Sequence, residues 1–253
     1  MAIRSTDFVG SLAKGLSVLE AFGQGPARLS VSQAAEVAGL DRAGARRCLL
    51  TLTELGYLHH DGKFFSLTPK VLRLGVGALS AMPLAQVVQP WLEQLSEKIG
   101  ESVSVSVLDD TEIVYVARAA QKRVMSIGLM PGSRLPAHCT SMGRVLLAAL
   151  PKAQAADIVS RSDLTPRTVN SVTDPGRIAA ILETVRMQGF AMVDQEVEIG
   201  LRSLAVPLRN AQGRVVAALN AGVSAAQRDD QDMIDRLLPA LQAVQEGVGR
   251  VLI

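Results

Sequence analysis

Aromatic side chains are scarce in this chain: one Trp, two Tyr and five Phe make up 3% of its 253 residues. Its interior must therefore be filled by aliphatic groups, and the 48% hydrophobic content, rich in Ala, Val and Leu, supplies them. Cysteine is scarcer still. Cys48 and Cys139 lie far apart and in different patterns, which excludes a disulfide framework and makes a reducing cytoplasm the expected compartment. No apolar run reaches the roughly 18 residues that a bilayer requires, and the start Met1-Ala2-Ile3-Arg4-Ser5-Thr6 carries no secretory signal, so no membrane partner is expected. A large excess of one charge is also missing, the net value being +2. With charged residues at 20%, the composition argues for ordered structure and against disorder, and the length suits two domains.

The small net charge divides unevenly. Residues 1–80 hold nine Lys/Arg against six Asp/Glu, or +3, and the remainder holds seventeen against eighteen, or −1. A modestly basic first third is what a phosphate-contacting module shows. Leu12, Leu16, Leu19 and Phe22 recur at helical spacing, and Gly23-Gln24-Gly25-Pro26 stops that run. Leu29-Ser30-Val31-Ser32 offers an N-cap for a short helix from Gln33 to Ala38, closed by Gly39. Asp41 caps a longer helix whose inner face is Ala45, Cys48, Leu49, Leu52 and Leu55. Two β-rich stretches follow, joined by Asp61-Gly62, a pair that tolerates the positive φ of a type I′ hairpin turn. Helix, short helix, turn, longer helix and hairpin, in that order, spell a winged helix-turn-helix.

Pro69 opens a further helix with Val71, Leu72, Leu74, Val76 and Leu79 apolar on more than one side, as in a linker buried against a partner. The expected organisation is a DNA-binding domain over 1–68, a linker helix over 69–83 and a second domain over 84–253. In that second part Ser102-Val103-Ser104-Val105-Ser106-Val107 alternates strictly with period two, the pattern of a strand. Strands are expected at Glu112–Arg118, Val124–Leu129, Ala191–Glu196, Ser203–Arg209 and Val215–Ala221, with Met130–His138 as a loop. Helices are expected before and between the two strand groups and from about Asp229 to Val251. The fold class is α+β with an antiparallel sheet.

Chemistry concentrates in two places. Arg42, Ala43, Arg46, Arg47 and Leu50 form the face of the longer helix opposite its apolar stripe, where arginines reach phosphates or guanine edges in the major groove. Small Ala43 and Gly44 would let that helix approach DNA closely, and Lys63 with His59 and His60 would touch an adjacent groove or the backbone. The second place is Cys139-Thr140-Ser141, just before a helix starting near Ser141. Free N–H groups and the positive helix end make it a candidate anion site, with Thr140 and Ser141 hydroxyls and Arg134 adding donors. The bland alternative is that Thr140 or Ser141 merely caps the helix.

The run Ser11-Leu12-Ala13-Lys14-Gly15-Leu16-Ser17-Val18-Leu19-Glu20-Ala21-Phe22 resembles the opening helix of the IclR family of transcription regulators. Glu54-Leu55-Gly56-Tyr57-Leu58, Phe65-Ser66-Leu67-Thr68-Pro69, Pro136 to Ala148 and Gly200 to Pro207 match the same family in order, over essentially the whole chain. Leu135-Pro136-Ala137-His138-Cys139-Thr140-Ser141-Met142-Gly143-Arg144 is similar to its branch regulating protocatechuate, 4-hydroxybenzoate and β-ketoadipate degradation. The family often has Pro-Lys-Ser-Thr where this chain has Asp41-Arg42-Ala43-Gly44, so no operator sequence carries over.

The resemblance implies a GAF-like effector domain and a pocket lined by Thr140, Ser141, Met142, Asp194, Ser203 and Asn220, to which the anion-site argument adds Arg134 and Cys139. The expected partners are a double-stranded DNA operator, a small aromatic or dicarboxylic acid, and a second copy of the chain in a homodimer or a dimer of dimers. The rival reading is an enzyme on a helix-turn-helix chassis with Cys139 as nucleophile. Against it, adjacent His138 and Cys139 point to opposite sides of an extended chain, and no catalytic set stands at interpretable spacing. A metal would need His138, Cys139, Asp194 and Glu196 to converge, so neither metal nor cofactor is expected.

Overall fold

Two caps and one left-handed glycine set the geometry of the first unit. Helix α1 (Gly10–Glu20) leads through a short 3-10 turn to strand β1 (Arg28–Leu29), helix α2 (Val31–Val37), helix α3 (Arg42–Glu54) and strands β2 (Leu58–His60) and β3 (Phe65–Leu67). Ser30 and Gln33 cap α2 reciprocally, and Asp41 Oδ1 accepts from Gly44 N at 2.7 Å to cap α3. Gly39, at φ +63°, turns the chain between the two helices. Leu49 and Leu52 of α3 then pack with Val18, Phe22, Ala34, Leu58 and Phe65 in one core. This unit spans Met1–Ala78 and the second Leu79–Ile253; the computed structural model describes residues 7–23, 26–74, 83–121, 128–226 and 230–252.

Several local expectations change here. Leu12 and Leu16 are 61% and 48% exposed, and the buried side of this stretch is Val18, Ala21 and Phe22. Leu55 is likewise outside, at 53%. The hairpin turn is not type I′, because only Gly62 of the pair has positive φ. Instead Asp61 Oδ1 accepts from the amides of Lys63 and Phe64, an Asx turn that holds the loop from within. Arg28 of β1 forms an ion pair with Asp61, and β1 adds an unforeseen third strand, giving the order β1-β3-β2. Of the expected linker helix, Pro69–Val71 forms a 3-10 turn, residues 72–74 are α-helical, and residues 75–82 lie outside the described residues.

The second unit is one antiparallel sheet covered on both faces. Helix α4 (Pro83–Ile99) precedes β4 (Ser102–Asp109), β5 (Glu112–Ala119) and β6 (Arg134–Pro136). Helices α5 (Ser141–Ala149), α6 (Lys152–Arg161) and α7 (Pro175–Gln188) follow, then β7 (Ala191–Asp194), β8 (Leu201–Arg209), β9 (Val215–Ser224) and α8 (Asp230–Gly249). The strand order β6-β5-β4-β9-β8-β7 joins the two groups through β4 and β9. The third strand of the first group is Arg134–Pro136, within what reads as a loop; it pairs with β5 through Ile113↔Leu135. Three residues are too few to show a period. The expected strand at Val124–Leu129 falls mostly on 124–127, outside the described residues, and residues 128 and 129 are in no strand.

The Ser–Val alternation of β4 divides two cores. Val103 and Val105 face α4 and α8, where Val88, Leu92, Met233, Leu237 and Leu241 complete a core with β8 and β9. On the opposite face α5, α6 and α7 pack over Ile113, Tyr115, Ala205 and Ala218. The serines between the valines therefore point into the interior as well, and Ser102, Ser104 and Ser106 are all buried. Burying such a row is costly unless each hydroxyl is partnered, which marks this face as more than packing.

Candidate functional site

On α3 the side chains of Arg42, Ala43, Arg46, Arg47 and Leu50 are exposed together, opposite buried Ala45, Leu49 and Leu52. The cap at Asp41 starts the helix so that this face runs along its whole first half. The Gly44 backbone donates to the Asp41 cap and the residue is buried; a Cβ there would stand 2.9 Å from Asp41 Oδ2. Its small size therefore serves the cap rather than an approach to DNA. At the hairpin, Lys63 Nζ lies 5.2 Å from the Phe64 ring centre and the His60 ring stacks on Phe65 at 4.1 Å. These contacts keep a cation and a ring at the tip of the wing. The surface can bind a polyanion.

The second site lies between the serine face of the sheet and the N-terminus of α5. Thr140 caps α5 by accepting from Gly143 N at 3.2 Å, which leaves the Ser141 hydroxyl free of that duty. Gly143 permits the packing: a Cβ there would meet Ala137 O at 2.2 Å, so only glycine lets α5 lie on the preceding loop. Thr140, Ser141, Met142, Ser203 and Asn220 line a cavity of about 40 Å³. That is room for water but less than the roughly 150 Å³ that admits benzene, so a larger guest must push back a wall. Ser141 Oγ and Asn220 Oδ1 are buried and lack a hydrogen-bond partner among the described residues. The Ser106 hydroxyl lies 3.2 Å from Met142 Sδ and fixes that wall.

Residues not singled out from the sequence complete the cavity, chiefly Arg118 and Tyr115 from β5 and Val197 and Leu201 from the segment before and at the start of β8. Arg118 Nη1 donates to Ser104 Oγ at 2.9 Å, and burial depresses its pKa below the ordinary arginine value. Burial also pushes the Tyr115 hydroxyl up to about 12, so it stays protonated. The available signal was the buried serine strand: Ser104 pairs with Arg118 on one side and Asn220 on the other, so all three rise from one face.

Three expected lining residues stand elsewhere. Arg134 is on edge strand β6, paired with Asp109 at 2.8 Å and Glu112 at 2.7 Å; proximity in sequence to Cys139 did not turn it inward. Asp194 is held by Arg202 at 2.7 Å, which keeps its carboxyl below the usual range. Cys139 is fully buried behind α5, its sulfur 3.8 Å from Pro136 O, and desolvation, then the nearby Glu196 charge, pushes its thiol up to about 11. A nucleophilic cysteine needs the opposite shift. Beside it, Arg144 donates to His138 O at 2.8 Å and pairs with Glu196 at 2.7 Å, with both side chains buried. Burial, then the Arg144 charge, lowers the His138 pKa, and its Nδ1 lacks a partner among the described residues. No group of three His, Cys, Asp or Glu converges as a metal site among the described residues.

Comparison with known proteins fits this division. Residues 11–62 match the family model of the IclR helix-turn-helix domain, and residues 76–250 match that of the bacterial transcriptional regulator IclR C-terminal domain. The Pca regulon regulatory protein of Pseudomonas putida is 43% identical over 238 residues, 94% of this chain and 82% of that one. The p-hydroxybenzoate hydroxylase transcriptional activator of Acinetobacter baylyi is 40% identical over 245 residues, 95% of this chain and 90% of its own. A solved double mutant of the PobR inducer-binding domain from Acinetobacter, in complex with 3-hydroxybenzoic acid, is 33% identical with a TM-score of 0.64, covering 68% of this chain and 100% of that one.

Proposed function

The chain belongs to the IclR family of bacterial transcriptional regulators, and from that premise we propose that a small organic acid, aromatic or dicarboxylic, controls its hold on DNA by binding beneath α5. It is a regulator and not an enzyme, in keeping with its named relatives. The observation that carries the effector reading is the cavity itself, where Arg118 and the N-terminus of α5 meet two buried polar atoms without a partner among the described residues. Oriented N–H groups and a guanidinium offset the desolvation of a carboxylate, and the aliphatic walls accept the rest of the molecule. The names of two relatives point the same way: one activates a hydroxybenzoate hydroxylase gene, and one holds 3-hydroxybenzoic acid.

DNA would be held by Arg42, Ala43, Arg46 and Arg47 on α3, with Lys63 on the wing. The working form would be a homodimer, or a dimer of dimers, in the cytoplasm. An apolar groove of about 740 Å³ between α1 and α3, lined by Leu12, Leu16, Leu55 and Leu74, supports that reading, since these side chains are exposed among the described residues of their own unit. Arg134, Cys139 and Asp194 drop out of the effector set on the contacts described above. The test is a thermal-shift screen of acids against their methyl esters, followed by gel retardation on the operator with and without the binding acid. An acid at ~100 times its dissociation constant adds ~2.7 kcal/mol to stability. Equal shifts from acid and ester would remove the carboxylate from this account.

A further inference from the structure

Resting on the reading of this cavity as the effector site, we infer that the wall a guest pushes back is the β7–β8 connection, residues 195–200, and that Glu196 is the positioning residue whose ion pair with Arg144 holds that wall shut. The other walls are fixed. Ser102, Arg118, Ser203 and Asn220 stand on β4, β5, β8 and β9, each of which has a strand on both sides. Met142 sits on α5, which Gly143 seats against the Ala137 backbone. The turn after Leu129 is bound to β5, with Gly132 N donating to Tyr115 O at 2.7 Å and Tyr115 N to Ser133 O at 3.0 Å. Val197 differs. The pairing of β7 with β8 stops at Asp194↔Arg202, so residues 196–199 have no strand partner among the described residues.

This connection is built to turn as one piece. Its ends are tied to each other, Gln195 N donating to Leu201 O at 2.8 Å and Gly200 N to Gln195 Oε1 at 2.9 Å. Both end residues hold positive φ, +57° at Gln195 and +88° at Gly200, and such loop-end positions are the ones that absorb a hinge rotation. Ile199 is 59% exposed, so packing does not hold the outer part. Glu196 does. Its carboxylate takes both arms of the Arg144 guanidinium, at 2.7 and 2.8 Å, and the Val172 amide at 2.9 Å. Its carbonyl accepts from Ser171 Oγ at 2.7 Å, and that of Gln195 from Thr168 Oγ1 at 2.7 Å. The latch thus joins the connection to α5 and to the segment before α7. A closed cavity of about 40 Å³ excludes a benzene ring, so the bound state has the connection displaced and the latch opposes binding. The apparent affinity is then the intrinsic one reduced by the fraction of molecules that are open. Weakening the latch tightens binding, the reverse of what damage to a site does.

Stopped-flow mixing of the full chain with 3-hydroxybenzoate, 4-hydroxybenzoate and adipate tests this, together with hydrogen exchange of the unliganded protein. Arg144→Met with Glu196→Gln removes the pair and leaves the net charge unchanged, so no stray cation attracts the acid. In that variant the tightest-binding probe associates tenfold or more faster and binds fivefold or more tighter, while its dissociation stays within a few-fold. Arg144→Lys, which keeps the charge but not the fork, falls between. Amides of residues 196–200 exchange at least tenfold faster, and those of β4 and β9 do not change. Should the double variant fail to fold, Ser171→Ala with Thr168→Val cuts two ties, spares the ion pair and moves the same quantities about two- to threefold in the same direction. Unchanged or slower association, weaker binding, or unchanged exchange at 196–200 in the folded variants overturns the latch and leaves the cavity standing as the effector site. Faster exchange with no probe bound by any of the proteins, operator binding being intact, overturns the cavity reading and the latch with it.

Discussion

Arg46 and Arg47 project from the exposed side of α3 while Ala45, between the cap and the core, holds the helix down. Replacing either arginine by alanine should leave the melting temperature within about 4 °C, because surface substitutions cost within about 0.5 kcal/mol and that shifts a domain this small by roughly 2–4 °C. Operator binding should weaken. Loss of a phosphate contact lowers affinity for all sequences and flattens the salt dependence, whereas loss of a base contact costs about 1–3 kcal/mol and relaxes one operator position. Binding isotherms at several salt concentrations distinguish the two, and wild-type isotherms from both variants would remove α3 from the interface. Cys139 gives a second test. Its thiol is raised from 9.0 to about 11 in the fold, so the neutral form is favoured. The stabilisation is full below pH 9 and is lost as pH rises through about 11, on the order of 2 kcal/mol. Denaturant unfolding of Cys139→Ala should lack that fall between pH 9 and 11; parallel curves for the two proteins would contradict the burial account.

At the level of elements, the start of α5 depends on one missing methyl group. Gly143 lies against the Ala137 backbone, and an added Cβ at 2.2 Å from a carbonyl oxygen cannot be relieved by turning a side chain. Gly143→Ala should therefore destabilise by at least the ~1–3 kcal/mol of an overpacked core and shift α5 away from the sheet. Effector affinity should fall with it, since Ser141 and Met142 move with the helix. Unfolding midpoint and ligand titration on the same sample check both, and a fully stable variant that binds as wild type would show the contact to be soft. The buried Arg144–Glu196 pair belongs to the same scale: it ties α5 to the segment from which Val197 reaches the cavity. Glu196 reads as the end of a strand by its neighbours, yet its carboxylate turns inward to Arg144 and to Val172 N at 2.9 Å.

For the whole molecule, leucines exposed among the described residues carry the expectation. Leu12, Leu16, Leu55 and Leu74 line one groove of the first unit, and the chain continues from Leu74 into the apolar linker sequence. Burial of that surface between two copies would pair two α3 helices, reading half-sites about 34 Å apart or a multiple of it. Sedimentation at micromolar concentration should give a dimer or larger, and Leu12→Glu with Leu16→Glu should shift it toward monomer while weakening operator binding far more than unfolding. A wild-type monomer that still binds its operator tightly would defeat the proposal.

The sequence alone determined what depends on near neighbours: the cap at Asp41, the alternation of β4, and most of the longer helices and strands in their order, though not the short strands β1 and β6. Periodicity and capping are local, so they survive without knowledge of the fold. It also placed Thr140, Ser141, Met142, Ser203 and Asn220 at one site, through motif resemblance rather than geometry. Tertiary structure decided what depends on pairing across the sheet. Arg118 reached the cavity because β5 pairs with β4 in the register Ser104↔Arg118, while Arg134 turned to Glu112 on the neighbouring strand, Asp194 to Arg202 on β8, and Cys139 to the carbonyl of Pro136. A one-residue slip in the register of β5 would have turned Arg118 to the other face, and that choice is made by the packing of two cores against one sheet.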